Sequence, residues 1–226
     1  MYRCIIFDLD GTLADTDFMV VDAYLKMFKK YRPDYKPSFK ELASFSGPTL
    51  KDVFNDYFKG NDIEALLNEF RDISLPMYFT HTGLYKGIKE CLEEFKRAGL
   101  KLCVVTNKIS AATKVSLMTY GIYNLFDLII SSDNVKNGKP DPEGILKCIS
   151  QLGFSKEEVL YIGDSKIDEL ACKNASVDCC LVTWNLHGKI KGTNPKYTIS
   201  KVNDLKEIVY GWSKGCFNSW SWSSRT

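Results

Sequence analysis

Histidine is nearly absent: there are two in 226 residues, without HxxxH-type spacing, which argues against a histidine-built zinc centre. No stretch approaches the roughly 20 consecutive apolar residues of a membrane-spanning helix. The apolar run that opens the chain is broken at Asp8, too soon for the core of a secretion signal. Neither charge sign dominates, since 30 Lys and Arg face 28 Asp and Glu for a formal charge of +2. That balance offers no net electrostatic ground for nucleic acid or an anionic membrane as the main partner. The eight cysteines include no CxxC pair, and most lie inside apolar runs, such as Cys4 in CIIF and Cys103 in LCVV. They read as reduced core thiols of a cytoplasmic protein, not as a disulfide framework. A P-loop GxxxxGK[ST] motif is missing as well.

What is present is an ordinary globular balance, 45% hydrophobic and 26% charged, in a chain long enough to bury a core without staples. Five short apolar runs punctuate it: CIIF at 4–7, LCVV at 102–105, LII at 128–130, VLYI at 159–162 and CCLV at 179–182. They are continuous, not alternating, as strands buried on both faces of a parallel sheet are. Between them lie helical patterns that stop at glycine. GIKECLEEFKRAG (87–99) places Ile88, Cys91, Leu92 and Phe95 on one stripe, and PEGILKCISQLG (142–153) places Ile145, Leu146 and Ile149 on another. Strand alternating with helix predicts an α/β fold with an open parallel, Rossmann-like sheet. The stretch 15–82 has no strand-like run but several helical patterns, including 20–31 and 63–73, with breaks at 32–38, 46–48 and 59–62. The expected organisation is an α/β core made of 1–14 and 83–226, interrupted by an all-helical cap at 15–82. The tail 211–226, with three of the four tryptophans among serines, fits neither pattern and is expected to fray.

Open α/β sheets bind ligands beyond the carboxyl ends of their strands. Asp8, Asp10, Gly11 and Thr12 follow the first run, and Thr106, Asn107 and Lys108 follow the second. Asp164 and Ser165 follow the fourth, with Asp168 four residues on; Lys139 sits in the turn before the helix that leads into it. Any one of these aspartates could simply cap a helix or brace a turn. Together they would gather four carboxylates with few cations on one rim, a conflict that a hard divalent cation relieves. The pattern points to phosphoryl transfer.

FDLDGTLADT (7–16), VVTNK (104–108), GKPDP (138–142) and YIGDSKIDELA (161–171) resemble, in order, the four signature motifs of the haloacid dehalogenase-like hydrolase superfamily. The helical insertion directly after the first motif resembles the cap of its phosphoglycolate phosphatase and β-phosphoglucomutase branch. By that resemblance Asp8 is the nucleophile that forms an aspartyl-phosphate, and Asp10 is the general acid and then base. The same resemblance implies Mg2+ held by Asp8, the Asp10 backbone carbonyl and Asp164, with Asp168 orienting a metal-bound water or Lys139. Gly11, Thr106, Asn107 and Lys139 are implied to bind phosphate, with Gly11 and Thr12 turning the chain beneath it. Displacing halide needs no proton, so Asp10 also favours phosphatase or phosphomutase chemistry over dehalogenation.

Specificity is expected from the cap. SFSGPTL (44–50), with Ser46 and Gly47, resembles the cap segment that meets substrate in related phosphatases; Lys51 and Arg71 are candidates to meet an anionic substrate group, against the plainer reading of basic residues on a solvated helix face. Lys86 where proline is usual, Ser176 where glycine is common and the loop Trp184-Asn185-Leu186-His187-Gly188 depart from the family pattern and leave the ester open. His187 and His81 are expected to be a loop and a hinge or surface residue. The leading expectation is a Mg2+-dependent phosphatase of a small phosphorylated metabolite such as phosphoglycolate. A sugar phosphomutase, a pyrophosphatase and a nucleotidase stay open, as does, from another class, a phosphoaccepting signalling domain. Oligomeric state is open between monomer and dimer.

Overall fold

Cys4, Ile5, Ile6 and Phe7 are all buried, and they form β1 (Cys4–Phe7), the central strand of the molecule. The computed structural model describes residues 1–186 and 188–211; His187 and the tail from residue 212 onward lie outside the described residues. A two-residue strand, β2 (Ala14–Asp15), leads into the helical insertion: α1 (Asp17–Tyr31), α2 (Phe39–Ala43), α3 (Leu50–Tyr57) and α4 (Ile63–Ser74). Three of these start on side-chain caps. Ser38 accepts from Glu41 N–H, Thr49 from Asp52 N–H, and Asp62 from Glu64 and Ala65 N–H. β3 (Gly83–Leu84) pairs antiparallel with β2, so the insertion leaves and re-enters side by side.

The remaining chain alternates helix and strand. α5 (Ile88–Arg97) precedes β4 (Lys101–Val105), α6 (Ser110–Thr119) precedes β5 (Leu128–Ile130), and α7 (Glu143–Leu152) precedes β6 (Val159–Gly163). α8 (Lys166–Ala175), β7 (Asp178–Val182), β8 (Tyr197–Ile199) and α9 (Asp204–Tyr210) complete it. Among the described residues the sheet has six parallel strands in the order β5-β4-β1-β6-β7-β8. The chain builds outward from β1 in one direction and then returns to build in the other. β1 is therefore flanked by the switch point at which such sheets open a ligand crevice.

Alternate residues of each strand feed opposite faces. Ile5, Phe7, Leu102, Val104, Leu160 and Ile162 join Leu92, Phe95 and Leu117 on one face; Cys4, Ile6, Cys103, Val159 and Tyr161 join Ile145, Cys148 and Ala171 on the other. The helical insertion has its own core, dominated by the rings of Tyr24, Phe28, Phe45, Phe54, Phe58 and Phe70. Seven cysteines, Cys4, Cys91, Cys103, Cys148, Cys172, Cys179 and Cys180, are free and buried. No helix among the described residues is long and apolar enough to cross a membrane.

Several local expectations are corrected. Leu146 is exposed, and the buried stripe of α7 is Ile145, Cys148 and Ile149, because Cys148 lies three residues after Ile145 and Leu146 does not share its face. β8, β2 and β3 have no counterpart among the five apolar runs. Ser176 occupies the left-handed position after α8, at φ +58, where a side chain costs about 1–2 kcal/mol relative to glycine.

Candidate active site

The carboxyl ends of β1, β4 and β6 bring together most of the polar residues singled out in the sequence. Asp8 follows β1 directly and is buried. Asp168 stands in the first turn of α8, where Ser165 and Asp168 cap one another reciprocally. The loop before α7 delivers Lys139, whose ammonium lies 2.7 Å from Asp168 Oδ1 and 2.8 Å from Asp8 Oδ1. The contact with Asp8 is an ion pair without hydrogen-bond alignment. Lys139 also donates to the Tyr161 hydroxyl at 3.0 Å, and that hydroxyl lies 2.8 Å from Asp168 Oδ1.

Asp164 receives hydrogen bonds from the Thr12 hydroxyl at 3.2 Å and from Asn185 Nδ2 at 2.7 Å, both neutral donors. The Gly11 amide donates to the Ala14 carbonyl at 2.8 Å. What Gly11 supplies is room: at φ +78 a β-carbon there would fall 2.3 Å from Asp164 Oδ2. Asp10 is held through both oxygens by Lys108 Nζ, at 2.8 and 2.9 Å, and the same ammonium sits 4.6 Å from the centre of the Tyr78 ring. Thr106 is buried after β4, and its hydroxyl accepts from Lys108 N–H at 3.3 Å. The Asn107 side chain donates to the Gly47 and Lys139 carbonyls at 3.2 and 3.0 Å, bracing the helical insertion against the sheet.

Charge is out of balance here. Asp8, Asp164 and Asp168 are buried, and one oxygen of each lies within 4.8 Å of the others, yet Lys139 is the one cation that touches the group among the described residues. Burial pushes Asp8 up to about 6 against the pull of Lys139, with Asp168 adding to the rise. Burial, then the Asp168 and Asp8 charges, drive Asp164 well above the usual carboxylate range. Asp168 goes the other way: burial opposes its charge, but Lys139 and hydrogen bonds from Ser165 and Tyr161 outweigh it and hold the carboxyl below its ordinary value. Lys108 and Lys139 are both raised, because their carboxylate partners overcome desolvation. Three carboxylates and one ammonium leave room for a divalent ion, and crowded oxygen donors suit a hard one. The residues fit such an ion.

This imbalance has a measurable consequence. Asp8 and Asp164 bind protons more tightly folded than unfolded, so acidification stabilises the metal-free fold until they are protonated. Asp168 loses its contribution only below about pH 4. The thermal midpoint of EDTA-treated protein is expected to rise as pH falls from about 7 to about 5. Asp164→Asn and saturating divalent cation are each expected to flatten that rise; a midpoint that falls over this window contradicts the charge account.

Asp8 and Asp10 open into a cleft of about 800 Å3 between the sheet and the helical insertion. Thr106 and Asn107 line it, as do Ser46, Gly47, Lys51 and Arg71 from the insertion. Gly11, Lys139, Asp164 and Asp168 do not line it; Lys139, Asp164 and Asp168 crowd Asp8, and Gly11 lies against Asp164. The sequence motifs assign no role to Lys108, Tyr161, Asn185 or Tyr78. Lys108 was visible as the residue after Thr106-Asn107; Tyr161 was hidden in an apolar strand, and Asn185 and Tyr78 had no local signal.

Residues 5–182 match the haloacid dehalogenase-like hydrolase family. The chain belongs to that family. It is 31% identical over 207 residues to the pyrophosphatase PpaX of Halalkalibacterium halodurans, covering 91% of this chain and 95% of the relative. It is 32% identical over 209 residues to the PpaX of Bacillus velezensis, with the same coverage of each. A crystal structure of a predicted phosphoglycolate phosphatase from Haemophilus somnus shares the fold, with a TM-score of 0.80 at 22% identity over 92% of this chain and 97% of that one. Family and relatives support a phosphatase, in the broad sense of a hydrolase that releases phosphate.

Proposed function

We propose that the protein is a Mg2+-dependent phosphohydrolase of a small phosphorylated metabolite, working through an aspartyl-phosphate on Asp8, with residues 15–82 as its cap. The observation that carries this reading is that Asp8 and Asp10 both line the cleft, each held by its own lysine, with Asp164 and Asp168 gathered about Asp8. Asp8 attacks phosphorus, and the bond to the leaving oxygen breaks as that oxygen takes a proton from Asp10. Water then attacks the phosphorus, giving its proton to Asp10 as the bond to Asp8 breaks. The Thr106 hydroxyl and Asn107 N–H receive the phosphoryl oxygens, while Lys139, itself held by Asp168, fixes the Asp8 carboxylate. Lys108 orients Asp10, and substrate phosphate competes for its ammonium. Asp8, Asp164 and the Asp10 carbonyl would hold Mg2+, which when bound neutralises charge on the phosphoryl group.

For the substrate, a small phosphomonoester of the phosphoglycolate kind is the first reading. Pyrophosphate is the second, favoured by the pyrophosphatases to which the chain is 31% and 32% identical over most of its length. Seven buried free thiols support a cytoplasmic setting. The test is phosphate release from phosphoglycolate, pyrophosphate, sugar phosphates, nucleoside monophosphates and p-nitrophenyl phosphate, with Mg2+ and with EDTA. Mg2+-dependent turnover that strongly favours phosphoglycolate or pyrophosphate is expected. No release of phosphate from any of them by folded, Mg2+-supplied protein would overturn the reading.

A further inference from the structure

We propose that the end of the cleft formed by the helical insertion is a second anion site, built from Tyr24, Ser46 and Arg71, which takes a phosphoryl or carboxylate group on the part of the substrate that departs. The inference rests on the phosphohydrolase reading and deepens it by naming the substrate class: compounds with an anionic group at both ends.

Three donors line the cleft there and make too few hydrogen bonds. Tyr24 on α1 is fully buried, and its hydroxyl has no partner among the described residues. Ser46 Oγ is also buried without a partner. Arg71, at the end of α4, is steered by a hydrogen bond from Nη1 to Asn68 Oδ1 at 3.0 Å, while its Nε is buried and unpartnered. Unpartnered buried donors are unfavourable and uncommon, so three along one cleft call for an acceptor.

Aromatic packing explains why they meet. The Tyr24 ring lies between Phe45 and Phe70, with centroids 4.9 and 4.8 Å away. Ser46 follows Phe45 directly and Arg71 follows Phe70, so the core of the insertion brings one neutral donor and one guanidinium to either side of the tyrosine. Burial alone keeps the Tyr24 phenol protonated and a donor. An oxyanion answers all three groups and the positive charge. Lys51 also lines the cleft but is exposed, which makes it the weaker of the two cations considered from sequence. Glu64 and Asp72, which line the cleft too, are exposed and better hydrated. Asp8 and Asp10 line the same cleft, so the donor group and the carboxylate pair share one cavity.

The experiment compares kcat/KM for pyrophosphate, phosphoglycolate and p-nitrophenyl phosphate, which bears no second anionic group beyond its phosphoryl, in wild type, Arg71→Met, Tyr24→Phe and Ser46→Ala. Arg71→Met is expected to lose roughly 10- to 100-fold on a dianionic substrate and a far smaller factor on the neutral-tailed ester. Tyr24→Phe, which keeps the ring packing, is expected to show the same pattern at a smaller scale, as is Ser46→Ala. A preference for pyrophosphate identifies the second group as phosphoryl, and one for phosphoglycolate identifies it as carboxylate. Equal losses on all three compounds, or none, in an active Arg71→Met enzyme would overturn the second anion site alone. A wild type that releases phosphate from none of them, the neutral-tailed ester included, would overturn the phosphohydrolase reading itself.

Discussion

Asp8→Asn is expected to lower phosphate release by roughly 10⁴-fold or more while leaving the metal-free protein at least as resistant to heat as wild type. The two halves of this expectation come from different physics. Activity goes because an amide cannot accept the phosphoryl group, and the residual rate reflects binding and electrostatics alone. Stability holds because the substitution removes one of three crowded carboxylates, the one that burial and its neighbours already push up to about 6. Lys139 keeps Asp168 as a partner at 2.7 Å and Tyr161 at 3.0 Å. Calorimetry beside a phosphate-release assay checks both. A variant that is inactive because it has unfolded would contradict the account, and so would one that retains a tenth of the wild-type rate.

Lys139→Met is expected to have the larger structural effect. The substitution leaves methylene packing nearly intact but removes the cation that touches Asp8 and Asp168, both buried. Breaking a buried ion pair from one side costs about 3–5 kcal/mol, because the remaining charges lose both solvent and partner. For a chain of this size, that corresponds to a fall in thermal midpoint of roughly 6–20 °C. Added divalent cation is expected to restore part of it, and Lys139→Met with Asp168→Asn is expected to recover stability without recovering activity. A midpoint within about 2 °C of wild type in EDTA would show that the carboxylate trio is not held by this lysine.

The buried strands were the legible part of the fold. CIIF, LCVV, LII, VLYI and CCLV become β1, β4, β5, β6 and β7; burial keeps four of these runs apolar throughout, while β5, at the sheet edge, buries only Ile130 fully. β8 escaped because it is an edge strand of three residues, Tyr197, Thr198 and Ile199, with only Ile199 buried. α6 was equally silent. Two of its inward residues are Thr113 and Ser116, which settle their hydroxyls on the Ile109 and Ala112 carbonyls at 3.0 and 2.9 Å, so burial there leaves no apolar stripe.

The site divides in the same way. Asp8, Asp10, Thr106, Asp164 and Asp168 were visible because they follow strands and sit in local motifs. Their partners were not, since partnership is tertiary. Asn185 reaches Asp164 from 21 residues away, and the Tyr161 hydroxyl meets Lys139 from the middle of an apolar strand. Lys108 stood in plain view beside Thr106, but that its ammonium goes to Asp10 is decided by the pairing of β1 with β4. Tyr24 lies within the helical pattern 20–31, where nothing local marks its hydroxyl. Only its unpartnered hydroxyl in the cleft gives it a chemical role to test.

Covalent attachment at Asp8 is the central claim, and the most direct test uses Asp10→Asn with p-nitrophenyl phosphate and Mg2+. This leaving group departs without needing a proton, so the first transfer survives the loss of the acid, whereas the second step lacks its base. The account predicts a burst of one equivalent of p-nitrophenol and, after rapid quenching, a phosphoryl group on the peptide that contains Asp8. A wild type that turns over the same ester while Asp10→Asn shows neither burst nor phosphorylated Asp8 peptide would contradict it.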